Sequence, residues 1–335
     1  MELGAFVLIP QVSEAGVRST GKRKPLNQLQ PTAAYPSPLW PVLGKNLLQH
    51  WMEKIRRLGI QVMSVGEDMP AGAETLFSNF ARQGLERFLV VCLKAYAEID
   101  LTDFVRFHRE TRNPITEAID QEGPLGVRLV DRASFSPGAS CARESDGLGR
   151  FAEYRFAGYV KRMMSPQSYS DLVSDALKGR CALQPVGSQV GEGVWVGEGL
   201  CMARSVRLTA PCYVGSNTIL RDCVSVGPFS SVENNCVIDC GTTIESSSVL
   251  PQSFLAAGLN VRRSIVDGPY LEHLDTGTTV DLQAFGLGRR VGNDGRMRFD
   301  RRLRPQAGNG PATPACAFDV DPISVRPKAV TGPHP

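Results

Sequence analysis

The run Val190–Leu250, broken into sixes, reads VGEGVW VGEGLC MARSVR LTAPCY VGSNTI LRDCVS VGPFSS VENNCV IDCGTT IESSSV L. The first residue of every six is Val, Val, Met, Leu, Val, Leu, Val, Val, Ile, Ile and Leu, with no polar interruption. Four places further on stands a small or apolar residue: Val194, Leu200, Val206, Cys212, Thr218, Val224, Ser230, Cys236, Thr242. Glycine often follows the aliphatic residue, as at Gly191, Gly197, Gly215 and Gly227. An amphipathic helix needs apolar spacings of three and four, and a half-buried strand spacings of two. A period of six is the signature of a parallel β-helix. Each six supplies one side of a triangular coil, its aliphatic residue stacking on that of the next coil, with turn formers at the corners.

Outward from this run, the N-terminal half changes character. Ala5–Ile9 predicts a buried strand, and Ser13–Pro38 a loop rich in Pro, Gly, Gln and basic residues. Lys45–Leu58 predicts a helix with Leu47, Leu48, Trp51, Met52, Ile55 and Leu58 on one face and Gly59 as its stop. Ile60, Val62 and Val65 predict a second strand, and Phe88–Leu93 a central parallel one. Asp100–Arg109 predicts a helix capped by Asp100 or Thr102. Strands near Ile115 and Val127, a polar loop over 134–150 and a helix near Asp171–Lys178 follow. Alternating strands and helices predict a doubly wound, Rossmann-like α/β domain over residues 1–183. The coil is expected over 184–282, and a disordered Gly/Pro/Arg-rich tail over 283–335.

The chain of 335 residues has a net charge of +3, so composition calls for no nucleic acid. Nine cysteines without CxxC pairing fit reduced thiols and a cytoplasmic protein, with core filling as their role in the repeats. Ala5–Ile9 is too short for a signal peptide, and no stretch reaches the length of a membrane span.

Pro36–Ile60, PSPLWPVLGKNLLQHWMEKIRRLGI, resembles the stretch PKPLLPVxGKPLLxHxxxxLxxxGI of the sugar-1-phosphate nucleotidylyltransferases, or NDP-sugar pyrophosphorylases, such as mannose-1-phosphate guanylyltransferase. Phe88–Glu110, FLVVCLKAYAEIDLTDFVRFHRE, resembles their VVNGDxLxxxDLxxLxxFHR, and Phe156–Val160, FAGYV, their NAGIYV strand. The resemblance implies a nucleotidyltransferase-like α/β domain followed by a left-handed hexapeptide β-helix. It also implies where the chemistry should lie, and there this chain departs. The family's GGxGTR phosphate loop is replaced by Pro10-Gln11-Val12-Ser13-Glu14. Proline offers no N–H, and Glu14 repels phosphate. The family's phosphate lysine falls on Ser37, and its Gly-Asp magnesium pair on Leu93 and Lys94. A cation in place of a metal-binding carboxylate reverses the charge.

The expectation is therefore a catalytically inactive relative with no cofactor, acting as a regulator or scaffold in nucleotide-sugar and surface-polysaccharide synthesis. It would bind a nucleotide sugar through residual phosphate contacts from Arg18, Lys22, Arg23 and Lys24, pair with an active nucleotidyltransferase or glycosyltransferase, and form homo-oligomers. Gly16–Arg23 only imitates a phosphate-binding loop, since Arg23 stands where Ser or Thr would hold magnesium. Two alternatives remain. An active nucleotidylyltransferase would bind Mg²⁺ through relocated ligands, with Glu98, Asp100 and Asp103 the nearest acids. A hexapeptide acyltransferase would need a histidine base. The four histidines are His50, His108, His273 and His334, none lies in Val190–Leu250, and His273 is the nearest. Packing or surface roles are the default for His50 and His108 on their helices. Arg289, Arg290, Arg296, Arg298, Arg301, Arg302 and Arg304 form a loose basic cluster, read as solvated or as a dock for an acidic partner.

Overall fold

A computed structural model describes residues 3–10, 37–67, 84–132 and 151–292. The chain divides into two units, Met1–Trp40 with Lys45–Tyr169, and Pro41–Gly44 with Ser170–Pro335.

The first unit is a Rossmann-like α/β core. Its strands are β1 (Leu3–Ile9), β4 (Met63–Glu67), β5 (Arg87–Cys92), β7 (Ile115–Asp120), β8 (Gly123–Asp131) and β9 (Phe151–Arg155), in the order β4-β1-β5-β8-β7-β9. The short strands β2 (Pro41–Val42), β3 (Lys45–Asn46), β6 (Ala95–Ala97) and β10 (Val160–Arg162) lie outside this sheet. β4, β1 and β5 run parallel, but β8 is antiparallel to both β5 and β7. The sheet is thus mixed, not the fully parallel one a doubly wound reading implies. The β7–β8 link is a hairpin whose Asp120 side chain accepts from the N–H groups of Glu122 and Gly123, too short for a helical crossover.

Strand alternation sorts the core. Ala5, Val7, Leu89 and Val91 face one apolar cluster, while Phe6 and Phe88 face another. Burial on both faces explains why Phe88–Leu93 is apolar throughout. Helix α1 (Leu47–Arg57) buries Leu47, Trp51 and Ile55. It is closed at its start by a capping box of Asn46 and Gln49, and followed by Gly59 at φ +83°. Helix α2 (Leu101–Thr111) buries Leu101, Phe104, Val105 and His108, with Asp100 as N-cap. Ile60 and Val62 precede β4 instead of lying within it, and Val65 is exposed. The expected loops over Ser13–Pro38 and 134–150 fall almost wholly outside the described residues.

After helix α3 (Pro166–Leu177), the second unit is strand-rich from Ser188 to Arg290, with three largely parallel sheets. The chain visits the three in rotation. β12 (Val194–Val196) pairs with β15 (Cys212–Val214), which pairs with β18 (Ser230–Val232). β13 (Cys201–Met202) pairs with β16 (Ile219–Leu220), and β14 (Arg207–Leu208) with β17 (Ser225–Val226). Partners such as Val196, Val214 and Val232 lie 18 residues apart, so one circuit consumes three sixes. This is compatible with the expected β-helix. Val214, Leu220, Val226, Val232, Ile238 and Ile244 form its core, and Cys212, Val224 and Cys236 are buried beside them.

Both ends of the six-residue frame need correction. Val190 lies in β11 (Ser188–Gly191), antiparallel to β12, and is 46% exposed. At the other end Val232 pairs with Val249, not Leu250. The side from Ile244 to Val249 has five residues, with Ser246 turning its corner at φ +49°. The side from Val261 to Val266 repeats this, with Arg263 at φ +44°. Ser247 and Ser264, buried beyond these corners, hydrogen-bond to main-chain groups.

Residues 283–292, expected to open the disordered tail, contain a strand, and the rest of that expected tail lies outside the described residues. β27 (Gly288–Arg290) pairs antiparallel with β22 (Ser253–Leu255). Arg290 bonds Asp267 at 2.6 Å, and Arg289 lies 4.9 Å over the Phe254 ring. Two arginines of the basic cluster are therefore structural, and the other five lie outside the described residues.

Candidate functional site

In open α/β sheets, ligands sit beyond the carboxyl ends of the parallel strands. Here β1 ends at Ile9 and β5 at Cys92. The N–H of Leu93 donates to the Leu8 carbonyl at 2.9 Å, so β5 remains fastened to β1 to its last residue. Leu93 is buried and Lys94 is exposed. The Lys94 carbonyl accepts from Met163 N–H at 2.9 Å, and β6 pairs antiparallel with β10 just beyond. Gly126, at φ +75°, passes so close to β5 that a Cβ there would lie 3.0 Å from the Cys92 carbonyl oxygen. Ser37 is engaged in a turn, its hydroxyl accepting from Leu39 N–H and its carbonyl from Trp40 N–H. Arg18, Lys22, Arg23 and Lys24, and the decoy loop that contains most of them, lie outside the described residues.

The acids nearest Lys94 each have their own task. Glu98 accepts from the Tyr96 hydroxyl at 3.1 Å. Asp100 caps α2 by accepting from the N–H groups of Thr102 and Asp103. Asp103 accepts from the Tyr154 hydroxyl at 2.7 Å and pairs with Arg106. The Tyr154 bond is the main cause holding Asp103 below the usual carboxylate range. Burial, then this bond, pushes the Tyr154 phenol up to about 12. Among the described residues no three His, Cys, Asp or Glu side chains are grouped to hold a metal ion. Lys94 stands where the resemblance places a metal-binding carboxylate, and the neighbouring carboxylates are engaged with a cap, phenols and an arginine.

Sequence reasoning passed over a second cluster in this unit. His50 and Lys54 lie one turn apart on α1, facing Tyr96 of β6, with Tyr159 beyond. Lys54 Nζ donates to the Ala97 carbonyl at 2.7 Å and lies 5.3 Å and 5.7 Å from the Trp51 and Tyr96 ring centres. Burial lowers the Lys54 ammonium. It also pulls His50 down to about 4, aided by Lys45, so His50 is neutral at physiological pH. Its ring meets Tyr96 edge-on at 6.2 Å, and Tyr96 lies 6.0 Å from Tyr159. The signal available was the i, i+4 spacing of His50 and Lys54 on a helix face otherwise read only for its apolar residues.

The other histidines separate. His108 is buried, its Nδ1 2.7 Å from Thr116 Oγ1 and its Nε2 3.4 Å from Asp131, and burial lowers its pKa. It ties α2 to the sheet. His273 lies in β25 (Tyr270–His273), paired on both sides. His334 lies outside the described residues.

Among the described residues the most deeply buried carboxyl is Glu233 of the second unit, at 0% exposure. It accepts from the N–H groups of Leu43 and Gly44, both at 2.9 Å. Burial pushes it up to about 7, against those two bonds, which pull it down. Cys212 and Cys236 are raised by burial to about 11 and about 12, consistent with inert core thiols.

No known protein family matches the chain, and no curated protein does. Among solved structures it is similar to HddC from Yersinia pseudotuberculosis, in a complex with GMP-PN, at 14% identity and a TM-score of 0.35. The match covers 52% of this chain and 99% of that one. A second structure of HddC matches at the same identity and TM-score, over 51% and 98%. No described helix is long and apolar enough to cross a membrane.

Proposed function

We propose that this chain is a nucleotidyltransferase-like protein of the sugar-1-phosphate type that binds a nucleotide sugar without turning it over. It would act as a regulator or scaffold in nucleotide-sugar and polysaccharide synthesis, in the cytoplasm, as a homo-oligomer or beside an active nucleotidyltransferase or glycosyltransferase. In this reading its second unit is a left-handed β-helix of hexapeptide repeats that follows the α/β domain in sequence. The observation behind this reading is the exposed Lys94 ammonium at the carboxyl end of β5. Phosphoryl transfer depends on metal ions that neutralise charge developing on the phosphates, and a fixed cation repels such an ion. The same lysine attracts a phosphate, which favours binding over catalysis.

The test offers purified protein Mg²⁺, each nucleoside triphosphate and a panel of sugar 1-phosphates, and reads pyrophosphate. No release above background is expected. A GDP-sugar or UDP-sugar at ~100 times its dissociation constant should stabilise the fold by about 2.7 kcal/mol. Turnover would overturn the inactive reading and turn attention to Glu98, Asp100 and Asp103. Acyl transfer abolished by His273→Ala would replace both readings with an acyltransferase.

A further inference from the structure

Residues Pro41–Gly44 belong to the second unit, although the chain on either side of them belongs to the first. They are held there through the main chain. The Glu233 carboxylate takes the N–H groups of Leu43 and Gly44 on its two oxygens, and the Leu43 carbonyl accepts from Val186 N–H at 2.9 Å. Val42 and Leu43 are fully buried. Gly44 sits at φ +97°, and a Cβ there would come within 2.6 Å of the Tyr213 hydroxyl and 2.8 Å of Val186 Cβ. The seat therefore fits this segment and no bulkier one.

The seat has an unusual charge balance. Among the described residues Glu233 makes no ion pair. Pro41–Gly44 carries no titratable side chain. The titratable groups that feel Glu233 are Tyr213 and Cys236, and both are neutral acids raised chiefly by burial. The Tyr213 hydroxyl is buried without a hydrogen-bond partner. A carboxylate left without a cation in such a place binds a proton more readily than it does in water. When Pro41–Gly44 leaves its seat, Glu233 gains solvent and its ordinary acidity returns.

We propose that Glu233 and Pro41–Gly44 form a proton-linked clasp, closed more firmly by proton uptake and loosened as pH rises. The clasp is independent of the catalytic reading, because it uses none of the residues near Lys94. Linkage fixes the direction. The closed state binds the proton up to about pH 7, and the open state only up to about 4.5. Closure is therefore tightest below the lower value, weakens between the two and is constant above the higher.

Hydrogen exchange of the full-length protein, corrected for intrinsic rates, tests this at the Leu43 and Gly44 amides. Between about pH 4.5 and 8 their protection should fall by on the order of a hundredfold. Amides of the coil core, such as Ser225 and Val226, exchange only when the fold opens as a whole and should stay more protected than these at every pH. Glu233→Gln, which cannot titrate, should abolish the pH dependence, and Gly44→Ala should open the segment at every pH. Protection that is flat with pH in the unaltered protein would overturn the proposal. So would protection of the Leu43 and Gly44 amides equal to that of the coil amides, which would mean that the segment leaves its seat only on global unfolding, or the same fall in Glu233→Gln. The comparison with the coil amides needs no variant, so it decides the matter even if a substitution fails to fold.

Discussion

Tyr213 shows what a single buried group costs. Its hydroxyl lies under Gly44 with no partner, and an unsatisfied buried hydroxyl costs about 1–3 kcal/mol. Tyr213→Phe is expected to raise the melting free energy by about 1 kcal/mol. A loss of stability in chemical denaturation would show that the hydroxyl has a partner after all. Glu233 acts on the whole fold by the same logic as on the clasp. Its folded pKa is raised, so its contribution is fully present below about pH 4.5 and lost as pH rises through about 7. The loss amounts to about 3 kcal/mol at most. Urea midpoints measured across that window should fall with rising pH, and Glu233→Gln should flatten the slope. Asp120 has the opposite sign. Arg162 holds it below the usual range, so its contribution is lost as pH falls. Nothing in the sequence near Glu233 marks it as special. Its partner Leu43 lies 190 residues away, and only the folded chain brings the two together.

Elements were more readable than residues, because they depend on local spacing. The capping box of Asn46 and Gln49 closes α1, and Asn46→Ala is expected to cost about 1 kcal/mol by calorimetry. In the coil, the inward residues from Met202 to Ile244 follow the period of six. Ile238 is fully buried there, so Ile238→Ala should cost about 2–5 kcal/mol. The period fails at Val249 because a corner can lose one residue while its strands keep their facing. That asymmetry can be tested with insertions. One extra residue after Ser246 restores a six-residue side and should leave a cooperative melt. One between Val237 and Ile238 turns apolar side chains outward and should abolish it. Equal melts for the two insertions would contradict the coil register. The hairpin of β7 and β8 was legible as two strands but not as antiparallel, since direction is settled by the partner strand.

Over the whole molecule, the functional proposal rests on where the strand ends place a charge. Lys94→Asp would return a carboxylate to the end of β5. It is expected to leave pyrophosphate release at background, because Glu98, Asp100 and Asp103 remain engaged elsewhere. Pyrophosphate release restored by that one change would mean that the remaining apparatus is intact. By itself the sequence determined the α/β character of the first half, the position of the main helices and the inward residues of the coil. Those follow from spacing along the chain and from which side chains water rejects. Only the tertiary structure decided the direction of β8, the five-residue sides, the strand at 288–290 and the seat of Pro41–Gly44. Each depends on contacts between residues far apart in the chain, where hydrogen-bond geometry and desolvation act and local pattern carries no information.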